Sequence, residues 1–155
     1  MKKTIVVLLT LGILVAGMGI VNAAETLNIT ANVQSALTLA LDPGSLTYND
    51  IQPGVASAAQ TLTATTSGSG SYHLTLASTT FTSAAGTQSA SVLQFKEQSA
   101  ETYKNASSSA QNMLSAAGTA TAEGDEKQFD LRVNFPVSAA DGTYGATVTI
   151  TAVPQ

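Results

Sequence analysis

From residue 27 to residue 41 the chain alternates. Leu27, Ile29, Ala31, Val33, Ser35, Leu37, Leu39 and Leu41 fall on one parity, and Asn28, Thr30, Asn32, Gln34, Ala36, Thr38 and Ala40 on the other. A period of two puts successive side chains on opposite faces of a sheet, so the pattern predicts a strand with one buried face. The run is well beyond the usual length of about five or six residues. It predicts either one long strand or two strands meeting near Gln34-Ser35.

The same alternation recurs downstream. Residues 59–66 carry Leu62 and Ala64 inward among β-branched threonines, and Tyr72, Leu74 and Leu76 alternate with His73, Thr75 and Ala77. Near the C-terminus, Leu131, Val133 and Phe135 follow Phe129 on one face, opposed by Asp130, Arg132 and Asn134. Tyr144, Ala146, Val148, Ile150 and Ala152 then alternate with Gly145, Thr147, Thr149 and Thr151. Shorter strands are predicted at 46–48 and 92–96. Turn chemistry separates these runs at Asp42-Pro43-Gly44-Ser45, Gln52-Pro53-Gly54, Ser67-Gly68-Ser69-Gly70 and Asp141-Gly142. Proline presets φ at such positions and glycine accepts positive φ.

Residues 84–87 read as loop. Residues 97–121 read as irregular, with short strands near 102–104 and 113–114. Ala100, Tyr103, Ala106, Ala110 and Met113 fall at helical spacing there, but Asn105 and Ser107-Ser108-Ser109 are poor helix-interior residues. Short strands at intervals near ten residues predict an all-β fold, an antiparallel immunoglobulin-like β-sandwich. Its core is expected to include Leu131, Val133, Phe135, Tyr144, Val148 and Ile150, with Arg132, Asn134, Thr147 and Thr149 outward.

The first residues read as an address. Lys2 and Lys3 precede an almost wholly apolar run, and Val21-Asn22-Ala23 offers small residues for cleavage before Ala24. The run also approaches bilayer-spanning length, so an uncleaved anchor is the competing expectation. The expected organisation is therefore a signal peptide at 1–23 and one sandwich domain at 24–155, secreted or displayed at the cell surface. Six basic residues oppose ten acidic ones, and losing Lys2 and Lys3 with the leader leaves four against ten, a net charge of −6. That balance argues against nucleic acid, which needs a basic footprint, and against anionic lipid headgroups, so no membrane association is expected after cleavage. An exported chain with no cysteine must draw its stability from sheet packing.

Reactive constellations are scarce. His73 is the single histidine and lies on the outward parity. With no cysteine or second histidine, a zinc or copper site is not expected. Neither a Gly-x-Ser-x-Gly elbow nor a Ser-His-Asp arrangement with supporting motifs is visible, and the 67–71 cluster has no lysine to make a phosphate loop. Glu123, Asp125 and Glu126 form the one acidic cluster. Calcium takes several oxygen ligands from a flexible loop, but the spacing is not that of an EF-hand, and a solvated turn is expected. Asn28-Ile29-Thr30 and Asn105-Ala106-Ser107 fit the glycosylation acceptor pattern. Lys96, Lys104 and Lys127 raise the question of an internal isopeptide bond, which requires a buried contact. Asp141-Gly142-Thr143-Tyr144 resembles a tyrosine corner, in which the phenol hydroxyl pins a crossover to nearby backbone.

Residues 142–154, Gly-Thr-Tyr-Gly-Ala-Thr-Val-Thr-Ile-Thr-Ala-Val-Pro, resemble the C-terminal segment of WxL domains. Those Gram-positive cell-surface β-sandwiches end in a Gly-x-Tyr turn and a strand carrying Trp-x-Leu. Gly70-Ser71-Tyr72-His73-Leu74-Thr75-Leu76 is similar to the earlier Trp-x-Leu strand of that family. Leu37-Thr38-Leu39, Leu46-Thr47-Tyr48 and Pro53-Gly54 are similar to its opening. This chain has no tryptophan; Tyr72 and Ile150 stand at the tryptophan positions, and Ala152 at the second leucine. The resemblance implies a surface sandwich attached to peptidoglycan. In layout the chain is also similar to exported, cysteine-free biofilm-fibre proteins of the TasA and camelysin type.

The sequence therefore leads to an exported structural or adhesive protein, a subunit of a fibre or surface matrix, with no enzymatic activity and no cofactor. A non-catalytic module binding a cell-wall polymer or glycan is the alternative, although the chain is only 5% aromatic. Self-association is expected through an edge strand presenting Leu27, Ile29, Ala31 and Val33. Such a strand pairs within its own domain or completes a neighbour's sheet.

Overall fold

The computed structural model describes residues 36–155. They belong to one compact unit, Val33–Gln155. The signal peptide, the glycosylation acceptor at Asn28 and the Leu27–Val33 edge strand lie outside the described residues.

Eleven strands follow one another along the described chain. The first five are β1 (Thr38–Asp42), β2 (Gln60–Ser67), β3 (Gly70–Ser78), β4 (Phe81–Ser83) and β5 (Gly86–Gln88). After a 3₁₀ turn at Ala90–Val92 come β6 (Leu93–Glu97), β7 (Lys104–Asn105), β8 (Gln111–Asn112), β9 (Gly118–Ala120), β10 (Asp125–Val133) and β11 (Val148–Pro154). One sheet has the order β1-β2-β10-β6-β7. The second has the order β11-β3-β8, with β9 pairing β3 further along the edge that β8 uses. Every named strand pair is antiparallel. The fold is an all-β sandwich of antiparallel sheets with one shared apolar core.

Alternation accounts for that core. In β2 the inward set is Leu62, Ala64 and Thr66, in β3 Tyr72, Leu74 and Leu76, and in β10 Phe129, Leu131 and Val133; all are buried. Facing sheets of this kind hold their inner side chains in a layer about 10 Å thick. Phe95 from β6 and Met113 after β8 complete it, both essentially without solvent contact. At one end the Tyr72 hydroxyl donates to Asp125 Oδ2 at 2.8 Å, tying β3 of one sheet to β10 of the other. Gly118 lies against the face of the Tyr72 ring, where a Cβ would overlap it. Gly118→Ala is therefore expected to cost about 1–3 kcal/mol through forced displacement of a packed ring. Gly145 has open space around its Cβ position and serves as the comparison. Denaturant unfolding of Gly118→Ala and Gly145→Ala checks this; equal losses would place Tyr72 elsewhere.

Several expectations are corrected. Residues 46–48 form no strand; Tyr48 is turned inward instead, its hydroxyl donating to the Leu131 carbonyl at 2.8 Å. Residues 84–87 are not simply loop: Ala84-Ala85 is the turn of the β4–β5 hairpin, with Thr82 opposite Thr87. The irregular stretch holds three short strands, because β3 and β6 each have an edge to be paired. The last strand begins at Val148 rather than near Tyr144. Thr82 and Gly145 exchange backbone hydrogen bonds of 2.9 Å in both directions, so the preceding residues are held to β4 instead. Leu131, Val133 and Phe135 are buried, but Tyr144, Val148 and Ile150 are only half-buried.

Candidate functional site

That last difference locates the site. Ile150 stands opposite Leu76 and Ala152 opposite Leu74 in the β11–β3 ladder. Opposed residues in a ladder share a face. Yet Leu74 and Leu76 are fully enclosed, while Ile150, Ala152 and Val148 are half-buried. Parity is the same, so position across the sheet makes the difference: among the described residues β3 has strands on both sides and β11 has one on a single side. The opposite sheet repeats this. Leu39 faces Thr66 and Leu41 faces Ala64, both fully enclosed, whereas Leu39 is half-buried and Leu41 is 36% exposed. Strand β1, too, is an edge.

The two edges lie across from one another. Between them runs an apolar seam that widens into a cavity of about 850 Å³. Leu62, Leu131 and Val133 wall it from the β1 sheet, with Val148 and Ile150 from the other. The loop after β1, with Leu46, Tyr48 and Ile51, closes one side. A packed interior has few voids larger than a water molecule. Space of this size beside half-buried leucine, valine and isoleucine marks a seam with room for more side chains. Among the described residues, β1 pairs only with β2 and β11 only with β3. Each therefore presents a row of backbone N–H and C=O groups able to pair a further strand.

One rim of the cavity is held by aromatics. Phe81 meets Phe135 edge-on at 5.7 Å between centroids, and Phe135 meets Tyr144 at 5.0 Å. The Tyr144 hydroxyl donates to the Ala140 carbonyl at 3.0 Å, four residues upstream, and Asp141 beside it is exposed. The rim is thus fixed by ring packing and by the Thr82–Gly145 bridge.

The acidic cluster is dispersed. Asp125 accepts from Tyr72 through one oxygen and pairs with Lys127 at 3.2 Å through the other, while Glu123 and Glu126 are exposed. Among the described residues no group of three or more His, Asp or Glu side chains is placed to hold a metal ion. His73 lies on the outer face beside the Asn112 amide, 3.5 Å away. Lys96 pairs with Asp130 at 3.4 Å, both side chains partly open to solvent, which is not the enclosed contact an isopeptide bond requires. On that outer face Arg132 stacks 3.8 Å over Tyr103, so this ring is covered by a cation.

Tyr48 and Tyr72 are electrostatically distinct. Burial raises the Tyr48 hydroxyl to about 12, with Tyr103 adding to the effect. Burial likewise raises Tyr72 to about 12, and the hydrogen bond and charge of Asp125 push the same way. A phenolate is costly where water is excluded and a carboxylate is adjacent. The seam is not legible in the sequence: its residues carry ordinary inward parity, and no local signal says which strand lies at an edge. Comparison with family models, with curated proteins and with solved structures finds no match to this chain.

Proposed function

We propose that this chain is an exported structural protein of the cell surface or extracellular matrix, and that it works by self-association into a fibre or matrix. The observation that carries this is the pair of strand edges, without a partner among the described residues, that flank a half-buried apolar seam. Sheet edges of this kind recognise extended chain through backbone hydrogen bonds, and alternate side chains set the register. The chain carries such a segment itself, at residues 27–33, with an apolar residue at every second position and no charge. Zero cysteine and few charges suit a protein whose strength comes from repeated sheet packing.

A glycan-binding module is less well supported. Such modules present open aromatic faces, whereas Tyr72 is enclosed, Tyr103 lies under Arg132, and Tyr144 is half-buried against Phe135.

Deleting residues 25–34 tests the proposal. The core cluster lies between Leu62 and Phe135, so the shortened chain is expected to keep its circular dichroism and cooperative unfolding. It is expected to lose assembly in sedimentation and electron microscopy. A shortened chain that assembles like the parent would eliminate the role of this segment.

A further inference from the structure

Strand β1 is entered at one end of the sandwich, and the cavity opens at the other. The first β1 pair is Thr38 with Ser67, and the Ala36 carbonyl stands directly against Gly68, continuing the line of the ladder. The cavity is lined instead by Leu41, Leu62, Val133 and Val148, at the far ends of their ladders. Five residues of β1 separate the two, about 17 Å at ~3.4 Å per residue.

For the chain's own segment to fill the seam beside β1, it must reverse just before Ala36. Opposed residues of an antiparallel pair share a face, so Leu27, Ile29, Ala31 and Val33 join Leu37, Leu39 and Leu41 only through an odd-numbered loop. The three-residue choices are Val33-Gln34-Ser35 and Gln34-Ser35-Ala36. Three-residue hairpins place one residue in the left-handed region, which favours glycine and, after it, asparagine or aspartate. Neither loop contains any of these. A two-residue loop points the apolar set to solvent. The chemistry of these short loops therefore disfavours a tight hairpin on β1.

A second copy meets neither obstacle. When an extended segment continues the line of β1 away from its own sandwich, it reaches the cavity end of a copy stacked beneath. It enters that copy C-terminal end uppermost, and so runs antiparallel to β11. The cavity end also carries three exposed large apolar residues, Leu41, Val55 and Val137, the last 81% exposed.

We infer that the seam between β1 and β11 accepts residues 27–33 of a second copy of this chain, antiparallel to β11, linking subunits head to tail. This rests on the self-association proposed above and adds the acceptor, the direction and the register. Val33 lies toward Val148 at the mouth of the seam, and Leu27 lies deeper, toward Ala152. Because a donor leaves one end and an acceptor opens at the other, the contact is heterologous, joining different surfaces of successive subunits.

The absence of cysteine makes this directly testable. Two single-cysteine forms of the chain from Ala24 onward, Val33→Cys and Val148→Cys, are mixed and treated with a short thiol cross-linker, one form carrying a mass tag. A mixed dimer is expected from this pair, several-fold more than from Leu27→Cys with Val148→Cys. Two results would overturn the inference. One is an intramolecular link in the double variant Leu27→Cys/Leu41→Cys, the signature of a hairpin on β1. The other is fibres in electron micrographs without the mixed dimer, in which case assembly stands and the acceptor is elsewhere. Neither fibres nor dimer removes both proposals.

Discussion

Phe95→Ala is expected to remove about 3–5 kcal/mol of stability, while Ile150→Ala removes about 1 kcal/mol from the monomer. Both are large apolar residues on the inward parity of a strand. Phe95 sits in β6 with no solvent contact, opposite Leu131, in the middle of the core cluster. Truncation there leaves a cavity that neighbours on both sheets cannot collapse to fill. Ile150 already faces open space across the seam, so its removal enlarges a groove rather than creating a void. A single domain usually has only about 5–15 kcal/mol in total, and here no disulfide limits the unfolded chain. Phe95→Ala is thus expected to leave the chain near the edge of folding. Urea unfolding of dilute monomer separates the two. If Ile150→Ala costs as much as Phe95→Ala, the seam is closed in solution and the acceptor has no room. In the assembled form the order changes: a donated strand would bury Ile150, so Ile150→Ala should weaken fibres out of proportion to its effect on the monomer.

The contrast also explains which parts of this fold are legible from sequence. Residues 60–67, 70–78 and 125–133 alternate, and each of those strands also has a neighbour on both sides along much of its length. The inner face is then fully covered, and Thr66 is enclosed along with Leu62 and Ala64. Residues 144–152 alternate just as cleanly, yet their inner face is half-open. Alternation reports which way a side chain points; whether something covers it depends on strand order, which is a long-range property. The same limit applies to Asp125. Its run of acidic neighbours reads as a solvated turn, and only the pairing of β10 with β2, at Asp125 opposite Thr66, brings it within reach of Tyr72. Tyr48 reads as the end of a short strand at 46–48. It instead reaches across to the Leu131 carbonyl, a contact spanning 83 residues that no local window contains.

Alkali should destabilise this protein through two particular hydroxyls. Tyr48 and Tyr72 each have a folded pKa raised to about 12, mainly by burial, against an ordinary value of 10.0. A group whose pKa is raised on folding contributes stability that is fully present below its unfolded value. That contribution is lost as pH rises from about 10 through about 12, because the unfolded chain then releases protons that the folded chain retains. Tyr72 is fully enclosed, so it should account for about 2 kcal/mol of lost stability by pH 12. Tyr48 is half-buried and partly screened by solvent, so its share should be about half of that. The two shares sum to a loss of about 3 kcal/mol, enough to shift a urea midpoint well outside experimental error. Tyr72→Phe should sacrifice about 1 kcal/mol near neutral pH, since Asp125 loses a hydrogen-bond donor but keeps Lys127. It should then flatten the alkaline limb relative to the parent, and Tyr48→Phe should flatten it less. Ultraviolet titration of the four tyrosines supplies the independent check. If Tyr72→Phe removes absorbance change near pH 10 rather than near pH 12, the hydroxyl is not enclosed between the sheets. The Asp125 link between β3 and β10 would then be absent in solution.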